Sequence, residues 1–247
     1  MVSFNRTILP NGLRVLVHED RSTPLVAVNV SYYVGSRDEN PEKTGFAHLF
    51  EHLMFSGSKN APDFDNPMQL AGGENNAFTT NDYTTFYEIL PAANIETALW
   101  LESDRMLALN ISRRSLDVQR KVVVEEFKET CLNEPYGDSW HHLSAMMYEQ
   151  HSYRWPVIGL IPEHVENASI EDVRNFYRTW YTPANAVLSI AGNISVSKAT
   201  ELAAKWFGDI PSPASPPARI LQPEPVQATP RHCEVHTDVP VRAMYLA

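Results

Sequence analysis

The sequence GFAHLFEHLMFS, residues 45–56, places apolar side chains three and four positions apart. This spacing predicts an amphipathic helix with one buried face. Positions i and i+4 share a face of a helix, one turn apart, so His48 and His52 would present two imidazole rings side by side. Glu51 would lie one turn from His48 and next to His52. The stretch therefore predicts a helix that carries three chemically active side chains on its polar face.

Two imidazole nitrogens in this arrangement can bind one zinc ion at about 2.0–2.1 Å each. The carboxylate of Glu51 could then reach a water molecule without being forced to bind the metal. The pattern H-x-x-E-H, the reverse of H-E-x-x-H, is the inverzincin signature. The alternative is a pair of histidines that bind no metal.

A catalytic zinc site usually has three protein ligands and one open position. A second helix, predicted over residues 115–132, offers Glu125, Glu126 and Glu129 as candidates for the third ligand. Glu126 and Glu129 would share a face, whereas Glu125 would point about 100° away from Glu126. An acidic, solvated stripe is the alternative for at least some of them. The spacing alone leaves the choice open.

The remaining periodicity predicts a mixed set of strands and helices without a strict strand–helix repeat. We expect an α+β fold, a layered, antiparallel-rich sheet with helices packed on it. A charged loop over 35–44, with Arg37, Asp38 and Glu39, is expected to be solvated near the first helix. The predicted strands are 13–18, 25–34, two within 75–90 that turn at Asn81-Asp82, and 186–190. The further predicted helices are 94–109, 139–148, 170–180 and 198–207.

The composition excludes several classes of protein. The chain has 247 residues, 43% of them hydrophobic and 20% charged, which is enough to bury a core. A net charge of −10 argues against non-specific nucleic-acid binding and permits a basic ligand. Neither glycine-rich nucleotide motif is present, and Cys131 and Cys233 lack the spacing of a disulfide framework or zinc knuckle.

The sequence predicts no contact with a membrane. The longest apolar runs are far below the roughly 20 residues that a membrane span needs. The polar residues Ser3, Asn5 and Arg6 lie close to Met1, so we expect no signal peptide in this chain. We therefore expect a soluble protein, and the sequence leaves its compartment, cytoplasm or periplasm, open.

Proline content marks a boundary late in the chain. Residues 211–230 contain seven of the 18 prolines, which predicts an extended linker after a domain over 1–210. Residues 231–247 are too few for a domain and are predicted to form the first strand of a second, related domain. We interpret the chain as a fragment, or as one whose remainder lies on a partner.

Three segments, 45–58, 72–87 and 119–127, resemble the pitrilysin/insulinase family of inverzincin zinc metallopeptidases. The likeness runs from about residue 4 to 210. It is greatest to the short-chain bacterial branch, which resembles the beta subunit of the mitochondrial processing peptidase. Three motifs in the same order make this resemblance more specific than the five-residue signature.

The resemblance implies one Zn²⁺ per chain, with His48, His52 and Glu126 as ligands. Glu129 is the alternative candidate for the third ligand. It implies that Glu51 is the general base. It also implies that an edge strand binds the substrate through Asn76, Ala77, Phe78 and Thr79. The family often has a supporting glutamate seven residues before the third ligand, where this chain has Gln119. An amide carries no charge, so any such support should be weaker here.

The implied function is a zinc-dependent endopeptidase that hydrolyses peptides or unstructured polypeptides. Family members resemble clamshells, so a second peptidase half or a homologous subunit is the expected partner, with no nucleic acid or membrane. An arginine and a tyrosine that the opposite half supplies have no equivalent in this sequence. One alternative is a catalytically silent subunit that acts as an assembly scaffold. Another is a metal-dependent hydrolase of a different bond.

Overall fold

The sheet of this protein is built from two hairpins and two central strands, one of which comes late in the chain. The computed structural model describes residues 2–219 and 221–247, and within them one sheet of six strands has the order β1-β2-β6-β3-β5-β4. Only the β2–β6 pair is parallel among these strands. The strands are β1 (Asn5–Ile8), β2 (Arg14–Glu19), β3 (Leu25–Tyr32), β4 (Glu74–Thr79), β5 (Thr84–Pro91) and β6 (Ala186–Gly192).

Eight α-helices accompany the sheet in the described part of the chain. A π-helical turn over Lys128–Asn133 continues the fourth. No helix in this part combines the length and apolar composition needed to cross a membrane. The helices are α1 (Phe46–Leu53), α2 (Asp65–Leu70), α3 (Ile95–Ala108), α4 (Arg113–Phe127), α5 (Ser139–Met147), α6 (Pro162–Glu166), α7 (Ile170–Trp180) and α8 (Val196–Phe207).

Side-chain alternation along the central strands sets the position of the core. In β3, Val26, Val28, Val30 and Tyr32 are buried, while the residues between them are partly exposed. Successive side chains of a strand point to opposite faces, so one face of the sheet packs into the core. That core includes apolar residues of α1, α3, α4 and α8. The expected fold, an antiparallel-rich sheet with helices packed on it, is confirmed.

Three short elements escaped the sequence prediction: β1, α2 and α6. They contain four, six and five residues, which is too short for a periodic pattern to emerge. The helix predicted over 115–132 is α-helical only to Phe127, because the π-helical turn follows.

Helix α4 begins with a side-chain cap. The hydroxyl of Ser112 accepts a hydrogen bond from the backbone N–H of Ser115 at 3.1 Å. We expect Ser112→Ala to lower the free energy of unfolding by about 1 kcal/mol, because that N–H loses its partner. Urea unfolding of the metal-free protein measures the change. Ser215→Ala, at an exposed position of the proline-rich segment, is the control, and equal effects of the two substitutions would contradict the cap.

Candidate metal centre

Helix α1 presents its polar residues away from the core. Phe46, Leu49, Phe50 and Leu53 are buried, and the predicted helix is present with its predicted buried face. Gly45 precedes the helix with a φ of +86°, in the left-handed region that favours glycine. A Cβ at this position would meet the carbonyl oxygen of Ile158 at 2.8 Å. The helix therefore begins at a position that only glycine fits.

Helix α4 packs beside α1 and brings a third ligand atom to the two histidines. The Nε2 atoms of His48 and His52 lie 3.3 Å apart. Oε1 of Glu126 lies 3.6 Å from Nε2 of His48, and Oε2 of the same carboxylate lies 3.3 Å from Nε2 of His52. We call these three residues the His-His-Glu cluster. The structure thus brings together residues that are 74 positions apart in the sequence.

The separations within the cluster fit a zinc ion. Ligands bound tetrahedrally at about 2.0–2.1 Å lie about 3.3–3.4 Å from one another. The distance of 3.3 Å between the two Nε2 atoms matches this requirement, and each Nε2 has a Glu126 oxygen, a different one for each histidine, at 3.6 or 3.3 Å. Two imidazoles and one carboxylate are also a donor set typical of catalytic zinc. The residues present therefore fit the metal that the family resemblance implies.

The protonation states of the cluster favour metal binding as well. Burial lowers the pKa of His48, and His52 acts in the same direction, whereas the charge of Glu126 opposes both. The hydrogen bond with His52 lowers the pKa of Glu126 below its ordinary value. A metal ligand must be a neutral imidazole or an ionised carboxylate. The cluster thus keeps His48 and Glu126 in the forms that bind a cation.

The other acidic residues of this region point elsewhere. Glu125 is 71% exposed and pairs with Lys128 at 2.7 Å. Glu129 is exposed on the π-helical turn and does not belong to the cluster. The geometry therefore favours Glu126 over both of its rivals, because only its side chain turns towards α1.

The catalytic candidate Glu51 contacts the edge strand. Its Oε2 accepts a hydrogen bond from the hydroxyl of Thr79 at 2.6 Å. Thr79 is the last residue of β4, and β4 is at the edge of the sheet. The carboxylate next to the two histidines of the cluster thus contacts directly the strand predicted to bind substrate.

The four predicted substrate residues of β4 divide between two faces. Asn76 and Phe78 are exposed, whereas Ala77 and Thr79 are half-buried and point towards the helices. The ring of Phe78 meets that of Tyr83 edge-on, with centroids 6.0 Å apart. All four residues lie on one edge strand, and the side chain of Thr79 hydrogen-bonds to Glu51 of α1.

Gln119, the departure from the family pattern, lies away from the His-His-Glu cluster. Its Nε2 donates a hydrogen bond to the hydroxyl of Ser56 at 3.1 Å. Ser56 lies in the segment just after α1, which ends at Leu53, so this contact joins α4 to that segment. Gln119 therefore makes a hydrogen bond between two parts of the fold, at the position where the family often has a charged glutamate.

The loop before α1 differs from its prediction. Asp38 and Glu39 are not solvated: the Asp38 side chain is 1% exposed and Glu39 is 7% exposed as a residue. Asp38 accepts hydrogen bonds from Gly35 and Arg219, and Glu39 accepts two from the start of α1. Buried carboxylates persist where donors satisfy them. Charge composition alone predicts exposure, so it could not reveal these contacts.

An α+β domain with an H-x-x-E-H helix and a carboxylate from a second helix defines an inverzincin-type metal centre. Residues 14–159 match the model of the insulinase family (peptidase family M16), and residues 167–247 match that of the peptidase M16 inactive domain. The chain belongs to the insulinase family, peptidase family M16. The second match includes β6, which lies between β2 and β3, so it begins before the six-stranded sheet is complete.

Named relatives and a solved structure agree with this assignment. The zinc protease PqqE of Helicobacter pylori is 33% identical over 235 residues, covering 93% of this chain and 52% of that protein. A probable mitochondrial-processing peptidase subunit beta of Arabidopsis thaliana is 27% identical over 227 residues, covering 90% of this chain and 42% of that protein. The crystal structure of a protease from Helicobacter pylori superimposes with a TM-score of 0.86 at 31% identity, covering 91% of this chain and 55% of that one. The chain spans about half the length of these relatives.

Proposed function

We propose that this chain is the metal-binding, catalytic part of a zinc-dependent endopeptidase. The observation that carries the proposal is the convergence of His48, His52 and Glu126 at zinc-like separations, with Glu51 beside them. Family membership and relatives named zinc proteases support it. A zinc ion held by the cluster would polarise the scissile carbonyl and make an attacking water more acidic.

In this proposal the carboxylate of Glu51 accepts the proton of the attacking water and passes it to the leaving amine. Thr79 holds one carboxylate oxygen, which leaves the other free to take the proton. An extended substrate would pair with the free edge of β4 through its main chain, as peptides do at exposed sheet edges. Main-chain pairing requires an unfolded segment and explains why peptides or unstructured polypeptides are the proposed substrates.

The domain organisation is part of the proposal. Residues 1–210 would form the metal-bearing domain, 211–230 the linker, and 231–247 the start of a second, related domain. No helix or strand is assigned to residues 211–219 and 221–247, which suits a linker. A strand forms only against a pairing partner, which the second domain would supply. The expected partner of the whole arrangement is a second peptidase half or a homologous subunit.

The experiment is hydrolysis of an unfolded, fluorescently labelled polypeptide by this chain, supplied with the second peptidase half that turnover is expected to need, before and after removal of metal with a chelator. We expect cleavage that the chelator abolishes and added Zn²⁺ restores. Cleavage that survives complete metal removal would contradict the proposal. A scaffold subunit would instead bind zinc and cleave no substrate, even when the second peptidase half is supplied. The presence of Glu51 beside the cluster argues against this alternative.

The contact between Thr79 and Glu51 gives a sharper prediction. A hydrogen bond to a charged group contributes about 1.5–3 kcal/mol, which corresponds to roughly 10–100-fold in rate. We expect Thr79→Val to lower kcat by this factor, with KM and zinc content nearly unchanged. Thr79→Ser keeps the hydroxyl and should retain most of the activity. A valine variant with wild-type kcat, or a serine variant that loses as much activity as the valine variant, would contradict the role of the hydrogen bond.

A further inference from the structure

A buried carboxylate holds the first turn of the metal-binding helix. The Oε2 of Glu39 accepts a hydrogen bond from the backbone N–H of Gly45 at 3.0 Å, and Oε1 accepts one from Ala47 at 2.8 Å. Both contacts are buried. Ala47 immediately precedes His48, the first residue of the His-His-Glu cluster. Glu39 therefore hydrogen-bonds to the backbone of the helix one residue before its first proposed metal ligand.

Helix α1 has no cap of its own. Its N-cap residue is Gly45, which has no side chain, and the carbonyl of Ile158 leaves no room for one. The first four N–H groups of a helix lack partners within it, and a side chain must satisfy them where water is excluded. Glu39 supplies two such partners from outside the helix, because its two carboxyl oxygens accept hydrogen bonds from the N–H groups of Gly45 and Ala47.

The loop that carries Glu39 is itself fixed by buried and half-buried contacts. Asp38 accepts hydrogen bonds from the backbone of Gly35 at 3.1 Å and from Nε of Arg219 at 2.8 Å. The indole of Trp155, itself buried, donates to the carbonyl of Ser36 at 2.9 Å. A carboxylate on so rigid a loop can set the position of the element it contacts. Arg219 belongs to the proline-rich segment, so that segment also supports the loop.

We propose that Glu39 is a positioning residue that sets where α1 begins, and so aligns His48 and His52 with Glu126 on α4. This inference rests on the proposed metal binding by the His-His-Glu cluster. An eight-residue helix has little stability of its own, so its place depends on tertiary contacts. A shift of α1 along its axis would move both histidines relative to Glu126 and would widen the 3.3–3.6 Å separations.

The test compares the zinc affinity of Glu39→Gln with that of the wild-type chain. An amide offers one acceptor and one donor group, so one of the two N–H groups would face another donor. Loss of an outer support typically weakens metal binding 10–100-fold, and we expect a shift in Kd of that size. Glu42→Gln is the matched control, because the same change at an exposed position three residues on should leave Kd unaltered. Competition with a chromophoric zinc chelator measures each Kd, well below the unfolding temperature of each variant.

A second variant keeps the inference falsifiable if Glu39→Gln does not fold. Glu39→Asp retains both acceptor oxygens on a side chain one methylene shorter, and we expect a smaller loss of affinity than for glutamine. A folded Glu39→Gln variant, or failing that a folded Glu39→Asp variant, with wild-type zinc Kd would overturn the inference. Loss of stability without a change in Kd would likewise show a purely structural role. Absence of zinc binding in the wild-type chain would instead overturn the proposed function, so the two failures are distinct.

Discussion

Replacing Glu51 with glutamine is expected to lower peptide hydrolysis by about 10²–10⁴-fold, the usual contribution of a general base. Glutamine preserves the volume of the side chain and can still accept the hydrogen bond of Thr79. It cannot take a proton from water, because an amide is not basic at neutral pH. The loss should fall on kcat, measured at saturating substrate, with zinc content unchanged because Glu51 is outside the His-His-Glu cluster.

Glu125→Gln is the matched control for this experiment. The substitution makes the same chemical change on α4, at a carboxylate that pairs with Lys128 and faces solvent. Its activity should equal that of the wild-type chain. A Glu51→Gln variant that retains full activity would exclude Glu51 as the base, and a variant that loses zinc together with activity would make it a metal-positioning residue instead.

Replacing Glu126 with alanine should have the second large effect, this time on metal binding. The substitution removes the only carboxylate of the His-His-Glu cluster and leaves two imidazoles one turn apart. We expect zinc affinity to fall by more than the roughly 10–100-fold that loss of a supporting group costs. Isothermal titration calorimetry of the metal-free protein with Zn²⁺ measures the change in Kd.

Glu129→Ala distinguishes the two glutamates that sequence reasoning left in competition. Glu129 is three positions further along the chain, exposed on the π-helical turn. Its removal should leave zinc affinity at the wild-type value. A larger loss of zinc affinity for Glu129→Ala than for Glu126→Ala would contradict this account, because it would make Glu129 the third ligand.

Local features of the fold and site were predictable from the sequence. The geometry of His48, Glu51 and His52 follows from helical periodicity within a dozen residues, and the strand alternation of β3 follows in the same way. The choice among Glu125, Glu126 and Glu129 was different, because it depends on which face of α4 meets α1. That is a tertiary property, and family resemblance rather than spacing selected Glu126.

The role of Glu39 could not be predicted from its type or position. A glutamate in a charged loop is ordinarily solvated, and its burial depends on Trp155 and on backbone groups that arrive from elsewhere in the chain. Burial raises the pKa of Glu39 to about 8, although its two N–H hydrogen bonds oppose the shift. Only the three-dimensional arrangement shows that this carboxylate contacts the start of α1.

The zinc content of the purified chain, measured by elemental analysis beside a His52→Ala variant, tests the central claim most directly. The account predicts about one zinc per wild-type chain and a loss of that zinc in the variant, because two ligands do not retain the metal as three do. Wild-type protein without zinc, even after incubation with excess metal, would contradict the account.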